Sequence, residues 1–347
     1  MATPTATSLA STTTSTSIPS CTTAVPGKYG YVPPDACNSY YSYSPSFAAA
    51  VAFAVLFGIV TIAQTSQAFV YRKGFCWVII MACCWEWASF ITRALGSHNQ
   101  QSLALAFVSQ LLFLLAPLWI NAYAYMTAGR LIWTFHPLKK IYGIKAISIG
   151  KYFVWLDILS FLVQGIGGSM LSPGSSADTQ KLGKNIYMTG VGIQGAFILL
   201  FTVLIARFHV EYLRLQNTGA VPTAKNKKWM WLTCALYVVL ALIIMRIVFR
   251  LIEFSAGVDI SNPLPYHEIY ALILDAFPML LGIVILTVIH PGMVLQGPES
   301  EFPSRKERKA EKKAKKAEKK ARKEERKMAK KGFRSQGQDT RYYGNRH

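Results

Sequence analysis

Four ionisable residues in the last third of the chain sit inside apolar runs, where a lipid-facing helix should carry none. Arg246, Arg250 and Glu253 fall at i, i+4 and i+7, which puts them on one helical face. After a short loop ending in His267 and Glu268, a second apolar run carries Asp275 and closes on His290-Pro291-Gly292. With the two runs antiparallel and a rise of ~1.5 Å per residue, the arginines lie about 5–10 Å below the Glu253 end. Asp275 lies a similar distance below Glu268. Charges at such depth are costly in hydrocarbon and need a partner or a watery cavity, which makes them functional candidates. The spacing predicts a buried Arg/Asp cluster between two neighbouring helices.

Other polar residues punctuate the remaining apolar runs. Glu86 and Arg93 are seven apart on one face; at ~10 Å they cannot pair with each other, so each needs a partner on another helix. A third run holds Gln110, Pro117, Asn121 and Tyr125 before Gly129-Arg130. A fourth carries Asp157 and Gln164, then Gly165, Gly167 and Gly168; a fifth carries Gly190, Gly192, Gln194 and Gly195. Glycines of this kind permit close helix approach. Pro117 and Pro278 predict kinks, the latter one turn inward of Asp275. The charged set is nearly balanced, so interhelical ion pairs that fix packing are one reading. The other is a polar cavity that receives a charged head group while apolar walls receive a tail. Its candidate substrate-binding residues are Glu86, Arg93, Gln110, Asn121, Asp157, Gln164, Gln194, Arg246, Arg250, Glu253, Glu268 and Asp275.

The elements that must hold these residues are seven apolar runs near 46–70, 75–95, 102–128, 150–171, 184–207, 229–253 and 269–290, each about the twenty residues that cross a bilayer. The 347 residues are 52% hydrophobic and 13% aromatic, with mean hydropathy +0.28, values that suit a polytopic membrane protein. The expected fold is an all-α bundle of seven transmembrane helices. Twelve Lys and Arg lie in the loops after the first, third and fifth runs, which predicts an outer N-terminus and a cytoplasmic C-terminus.

Residues 1–45 are Ser/Thr/Pro-rich and read as a disordered extracellular tail, retained because no signal-peptide pattern opens it. A Cys21–Cys37 disulfide fits an oxidising compartment. Residues 46–295 form the seven-span domain and 296–347 a basic cytoplasmic tail. The net charge of +20 comes largely from that tail: from Pro291 onward there are 19 Lys and Arg against 8 Asp and Glu. Such a run reads as a solvated, partly helical extension, with anionic lipid head groups as its candidate partner and nucleic acid excluded by membrane tethering.

The blocks Glu86…Arg93, Gln110…Ala116-Pro117…Gly129-Arg130, Asp157…Gln164…Gly167-Gly168 and Arg246-x-x-Phe249-Arg250-x-x-Glu253 through Glu268, Tyr270, Asp275 and His290-Pro291-Gly292 resemble the fungal lipid-translocating exporter family. That family is linked to aminocholesterol resistance, sphingoid-base export and porphyrin uptake. The resemblance implies a fungal plasma-membrane protein that moves or confers tolerance of amphiphiles; beside it, no cofactor, metal or enzymatic activity is expected. The membrane location leaves endoplasmic reticulum and vacuole open. No P-loop is present, so ATP is not the expected direct energy source. Two alternatives stand beside it. Seven spans with an outer N-terminus also fit a sensor or receptor, although the third span has no acid before Arg130 and the seventh lacks Asn-Pro-x-x-Tyr. An intramembrane lipid hydrolase would use His136, His209 and His290 around zinc, although no H-x-x-x-H pair sets two of them on one face.

Overall fold

The computed structural model describes residues 22–33, 36, 40–41, 43–171, 176–221, 228–255, 264–297 and 300–343. Cys21, Cys37 and most of the expected outer tail fall outside the described residues.

Three of the spans begin on a serine that satisfies an otherwise orphaned amide. Ser46 accepts from Ala49 at the start of α1 (Phe47–Tyr71), Ser102 from Leu105 at α3 (Leu103–Phe135), and Ser176 from Thr179 at α5 (Ala177–Asn217). Between them run α2 (Trp77–Ser97) and α4 (Ala146–Met170), and α6 (Lys228–Ser255) follows. A hairpin joins α3 to α4: β1 (Lys140–Ile141) pairs antiparallel with β2 (Ile144–Lys145), Ile141 facing Ile144. Its two turn residues, Tyr142 and Gly143, have φ of 48° and 77°, the positive pair that a type I′ turn requires.

The seventh span changes helical type partway along. It comprises α7 (Glu268–Ala271), a π-helical turn (Leu272–Ala276) and α8 (Phe277–Val288), with α9 (Pro291–Val294) after it. Pro278 has no N–H for the Leu274 carbonyl, and the Phe277 amide reaches back to Leu272 instead. The kink expected at Pro278 is thus a π turn just before it, and Asp275 lies within that turn. Such turns are rare and occur frequently at functional sites.

All seven spans are long and apolar enough to cross a bilayer, and the chain is a multi-pass membrane protein. Consecutive spans pack in chain order from α1 to α6, then α6 on α8, and α8 returns to α1. Gln64 and Gln67 of α1 make that last seam, donating to the Thr287 hydroxyl and carbonyl at 2.9 Å each. In the most apolar window of α6, 56% of residues are buried against 28% for α4, so charges on α6 meet protein rather than acyl chains. Helices α3 and α5 have 33 and 41 residues and outrun the apolar runs that announced them. Past Arg207, α5 continues as an amphipathic helix that buries Phe208 and Tyr212. Residues Gly297–His347 form a separate unit built on α10 (Arg305–Tyr343), a helix rich in Lys, Arg and Glu.

Candidate functional site

Helix α6 presents Arg246 and Arg250 on one face, and the π turn brings Asp275 to both. Arg246 through Nε and Arg250 through a terminal nitrogen each form an ion pair with Asp275, one on each carboxylate oxygen. Asp275 is fully buried. The other terminal nitrogen of Arg250 holds Glu253 at 3.1 Å, and its guanidinium lies 5.8 Å from the ring of Phe113 on α3. The expected Arg/Asp cluster between the sixth and seventh spans is therefore present, with Glu253 joined to it.

A second pair lies toward the Ser46 end of the bundle. Arg93 Nε is 3.0 Å from Glu268, whose other oxygen accepts the Ser46 amide at 2.7 Å. A terminal nitrogen of Arg93 also donates to the Tyr43 hydroxyl, and the guanidinium lies 5.5 Å from that ring. The segment before α1 is thus tied to the bundle. Val32 is fully buried and its amide donates to Gln100 Oε1 at 3.2 Å. Burial raises the Tyr43 phenol above its ordinary value, with Arg93 opposing the rise. Tyr43→Phe is expected to lower stability by about 1 kcal/mol at neutral pH. A raised folded-state pKa supports stability below the unfolded value of about 10, and that support fades as pH rises further. Thermal unfolding at neutral and alkaline pH should show a shallower alkaline loss in the variant; equal slopes would exclude the Tyr43 contribution.

Glu86 breaks the expectation that each charge finds its own partner. It is fully buried and neither carboxylate oxygen has a hydrogen bond among the described residues, although Asp275, Arg246 and Arg250 are its electrostatic neighbours. Both arginines are ion-paired to Asp275, and Arg250 also to Glu253, whereas Glu86 makes no ion pair with either among the described residues.

Gln164 on α4 donates to Gln194 on α5 at 3.0 Å, and both residues line a pocket with Arg246, Arg250 and Tyr187. Its walls are Leu114, Pro117, Leu118, Phe161, Val191 and Ile247, and the open cleft they form leaves about 20 Å³ for a guest, room for about one water molecule. Close approach of α4 and α5 makes this possible: a Cβ on Gly190 would stand 2.8 Å from Gln164 Cγ.

Asp157 and Asn121 belong to a different cluster. On α3, Asn121 and Tyr125 both donate to the same oxygen of Asp157 at 2.9 Å, while its other oxygen is buried without a partner among the described residues. Phe153 and Phe201 pack on Tyr125. Gln110 is exposed, since α3 turns its Ser109, Phe113, Ala116 and Pro117 face inward. The structure therefore removes Gln110 from the polar interior. Sequence reasoning missed Tyr43, hidden in a segment read as tail, and Tyr187, one apolar-looking aromatic among many.

His290 serves a helix end. It caps α9 by accepting the Gly292 amide on Nδ1 at 3.0 Å, stacks on Tyr71 at 4.7 Å between centroids, and has Cys76 Sγ 3.6 Å from Nε2. On the same side of the bundle, Arg130 lies 3.9 Å over the ring of Phe75.

Seven spans whose charged residues turn inward beside an open pocket with polar and apolar lining define a polytopic membrane protein. The chain belongs to the RTA1-like protein family, whose model matches residues 79–298. It is 42% identical over 310 residues to a probable lipid transporter, atnI, of Emericella nidulans, covering 86% of this chain and 81% of the relative. It is 24% identical to the sphingoid long-chain base transporter RSB1 of Saccharomyces cerevisiae, covering 77% of each chain. Protoporphyrin uptake protein 1 of the same yeast is 27% identical over 72% of this chain and 90% of its own. No solved structure matches the chain.

Proposed function

We propose that this protein moves lipid-like amphiphiles across the fungal plasma membrane. Its N-terminus lies outside and its basic tail faces anionic cytoplasmic head groups. The observation that carries the reading is the pocket, where Arg246, Arg250, Gln164 and Gln194 adjoin the apolar walls Leu114, Leu118, Phe161, Val191 and Ile247. A polar floor beside greasy walls suits a molecule with a head and a tail. The relatives named as lipid and sphingoid long-chain base transporters support transport over the receptor and hydrolase alternatives. In this reading the Arg93–Glu268 pair and its Tyr43 and Ser46 contacts form the outer closure of the path. Arg246, Arg250, Glu253 and Asp275 hold its polar floor. Glu86, Asn121 and Asp157 are buried polar groups that permit proton movement through the bundle. We assign it no enzymatic step.

Reconstitution into liposomes with fluorescent sphingoid base and fluorescent phospholipid tests the proposal, read for transbilayer movement with and without a pH gradient. Protein-dependent movement of at least one probe is expected. Gln164→Ala combined with Gln194→Ala should slow it several-fold, since the loss of one or two hydrogen bonds is worth ~1 kcal/mol each. No movement of either probe above protein-free vesicles would remove the reading.

A further inference from the structure

We infer that the pocket recognises an anionic, acceptor-rich head group of the phosphate type, carried on an aliphatic chain, rather than an ammonium. This rests on the amphiphile-transport reading and narrows its substrate class.

The argument starts from which charges reach the pocket. Both guanidiniums line it, and no carboxylate does among the described residues. Asp275 is fully buried and already opposed by two arginines, while Glu253 is held by Arg250. Glu86 is fully buried and does not line the pocket. An ammonium entering here would meet two fixed cations whose counter-charges are already engaged.

Donors, by contrast, are in surplus. Arg246 spends only its Nε on Asp275, and its terminal nitrogens have no hydrogen bond among the described residues. Its side chain is nevertheless only 8% exposed, so these donors face little solvent. Arg250 Nε is buried and equally unpartnered. A guanidinium fork is shaped for two oxygens of one phosphate or carboxylate, and a charge-assisted pair of that kind is among the stronger polar contacts a protein makes. The amides of Gln164 and Gln194 add neutral polar atoms at the same rim. Leu114, Leu118, Phe161, Val191 and Ile247 provide the wall for a chain. A lipid phosphate and a free phosphate share the head-group chemistry; only the first uses that wall.

The test uses the purified full-length protein in detergent and three probes: oleoyl lysophosphatidate, sphingosine of the same chain length, and inorganic phosphate. Saturable thermal stabilisation by lysophosphatidate is expected, with at least tenfold weaker apparent affinity for sphingosine and for inorganic phosphate. Arg246→Gln should weaken the lysophosphatidate response about tenfold, which corresponds to ~1.4 kcal/mol. Arg246→Lys keeps the positive charge opposite Asp275 but lacks the fork, so a folded protein with the same weakened response is expected. Sphingosine binding as tightly as lysophosphatidate, or a response indifferent to both Arg246 variants, would overturn the inference and leave transport standing. Inorganic phosphate binding as tightly as lysophosphatidate would overturn its amphiphile part. Failure of the transport reading is read separately, as no probe movement in vesicles.

Discussion

Asp275→Asn is expected to lose about 3–5 kcal/mol of stability, the cost of removing one partner from a buried ion pair. The substitution keeps the side chain's shape and one acceptor oxygen. It leaves Arg246 and Arg250 side by side, with Glu253 as the acid still paired to Arg250 and none to Arg246 among the described residues. Two guanidiniums in a low-dielectric interior then repel each other and lack a place to discharge. Glu86→Gln makes the same acid-to-amide change one helix away. It removes no hydrogen bond, because Glu86 makes none among the described residues. Its effect on unfolding should be several-fold smaller in free energy. Adding Arg246→Gln to Asp275→Asn restores a one-to-one balance between Arg250 and Glu253, and part of the loss should return as a non-additive coupling. Thermal unfolding in detergent, with size exclusion to count folded protein, measures these three variants and the Arg246→Gln single that completes the cycle. Equal losses for the Glu86 and Asp275 variants would show that the ion-pair network does not hold the sixth and seventh spans together.

That contrast also marks how far the sequence could be read. Seven apolar runs and their spacing carry the fold, because span length and loop charge depend on local composition. The meeting of Arg246, Arg250 and Asp275 was legible for a related reason: two antiparallel neighbours joined by a short loop have matched depths. Arg93 and Glu268 are 175 positions apart, and no local pattern says that the second and seventh spans place them at 3.0 Å. Gln110 shows the opposite limit. Polarity within an apolar run suggested an inward face, but Ser109 beside it took that face, and one residue is about 100° of rotation. Gln110 lies within about two turns of the start of α3, where a polar side chain is tolerated. The ends of α3 and α5 were underestimated because hydropathy ceases where the bilayer does, whereas the helix does not. Tyr43 was out of reach in principle: its role is set by where the chain enters α1, and its neighbours in sequence carry no sign of Arg93.

Gly167→Ala is expected to separate α4 from α5 and to cost about 1–3 kcal/mol, the usual range for forcing an extra carbon into a packed interface. A Cβ there would collide with the Tyr187 backbone amide and stand 2.7 Å from the Gly183 carbonyl oxygen. Both are main-chain atoms, so no rotamer relieves the contact and a helix must move. The consequence reaches the pocket. Gly190, two turns along the same seam, already sits against Gln164, and Tyr187, Val191 and Gln194 line the pocket from α5. A shift of a few tenths of an ångström in α5 should therefore weaken the 3.0 Å Gln164–Gln194 bond and slow probe movement in vesicles as well as lower the unfolding temperature. Neighbouring glycines give the control. A Cβ on Gly165 or Gly192 meets nothing within 4 Å, so Gly165→Ala and Gly192→Ala should leave both readouts near the parent value or slightly improve stability through helix propensity. All the glycines of these two spans look alike in sequence, and only the packing separates them. If Gly167→Ala unfolds and transports like Gly165→Ala, the close seam between α4 and α5 is not what shapes the pocket.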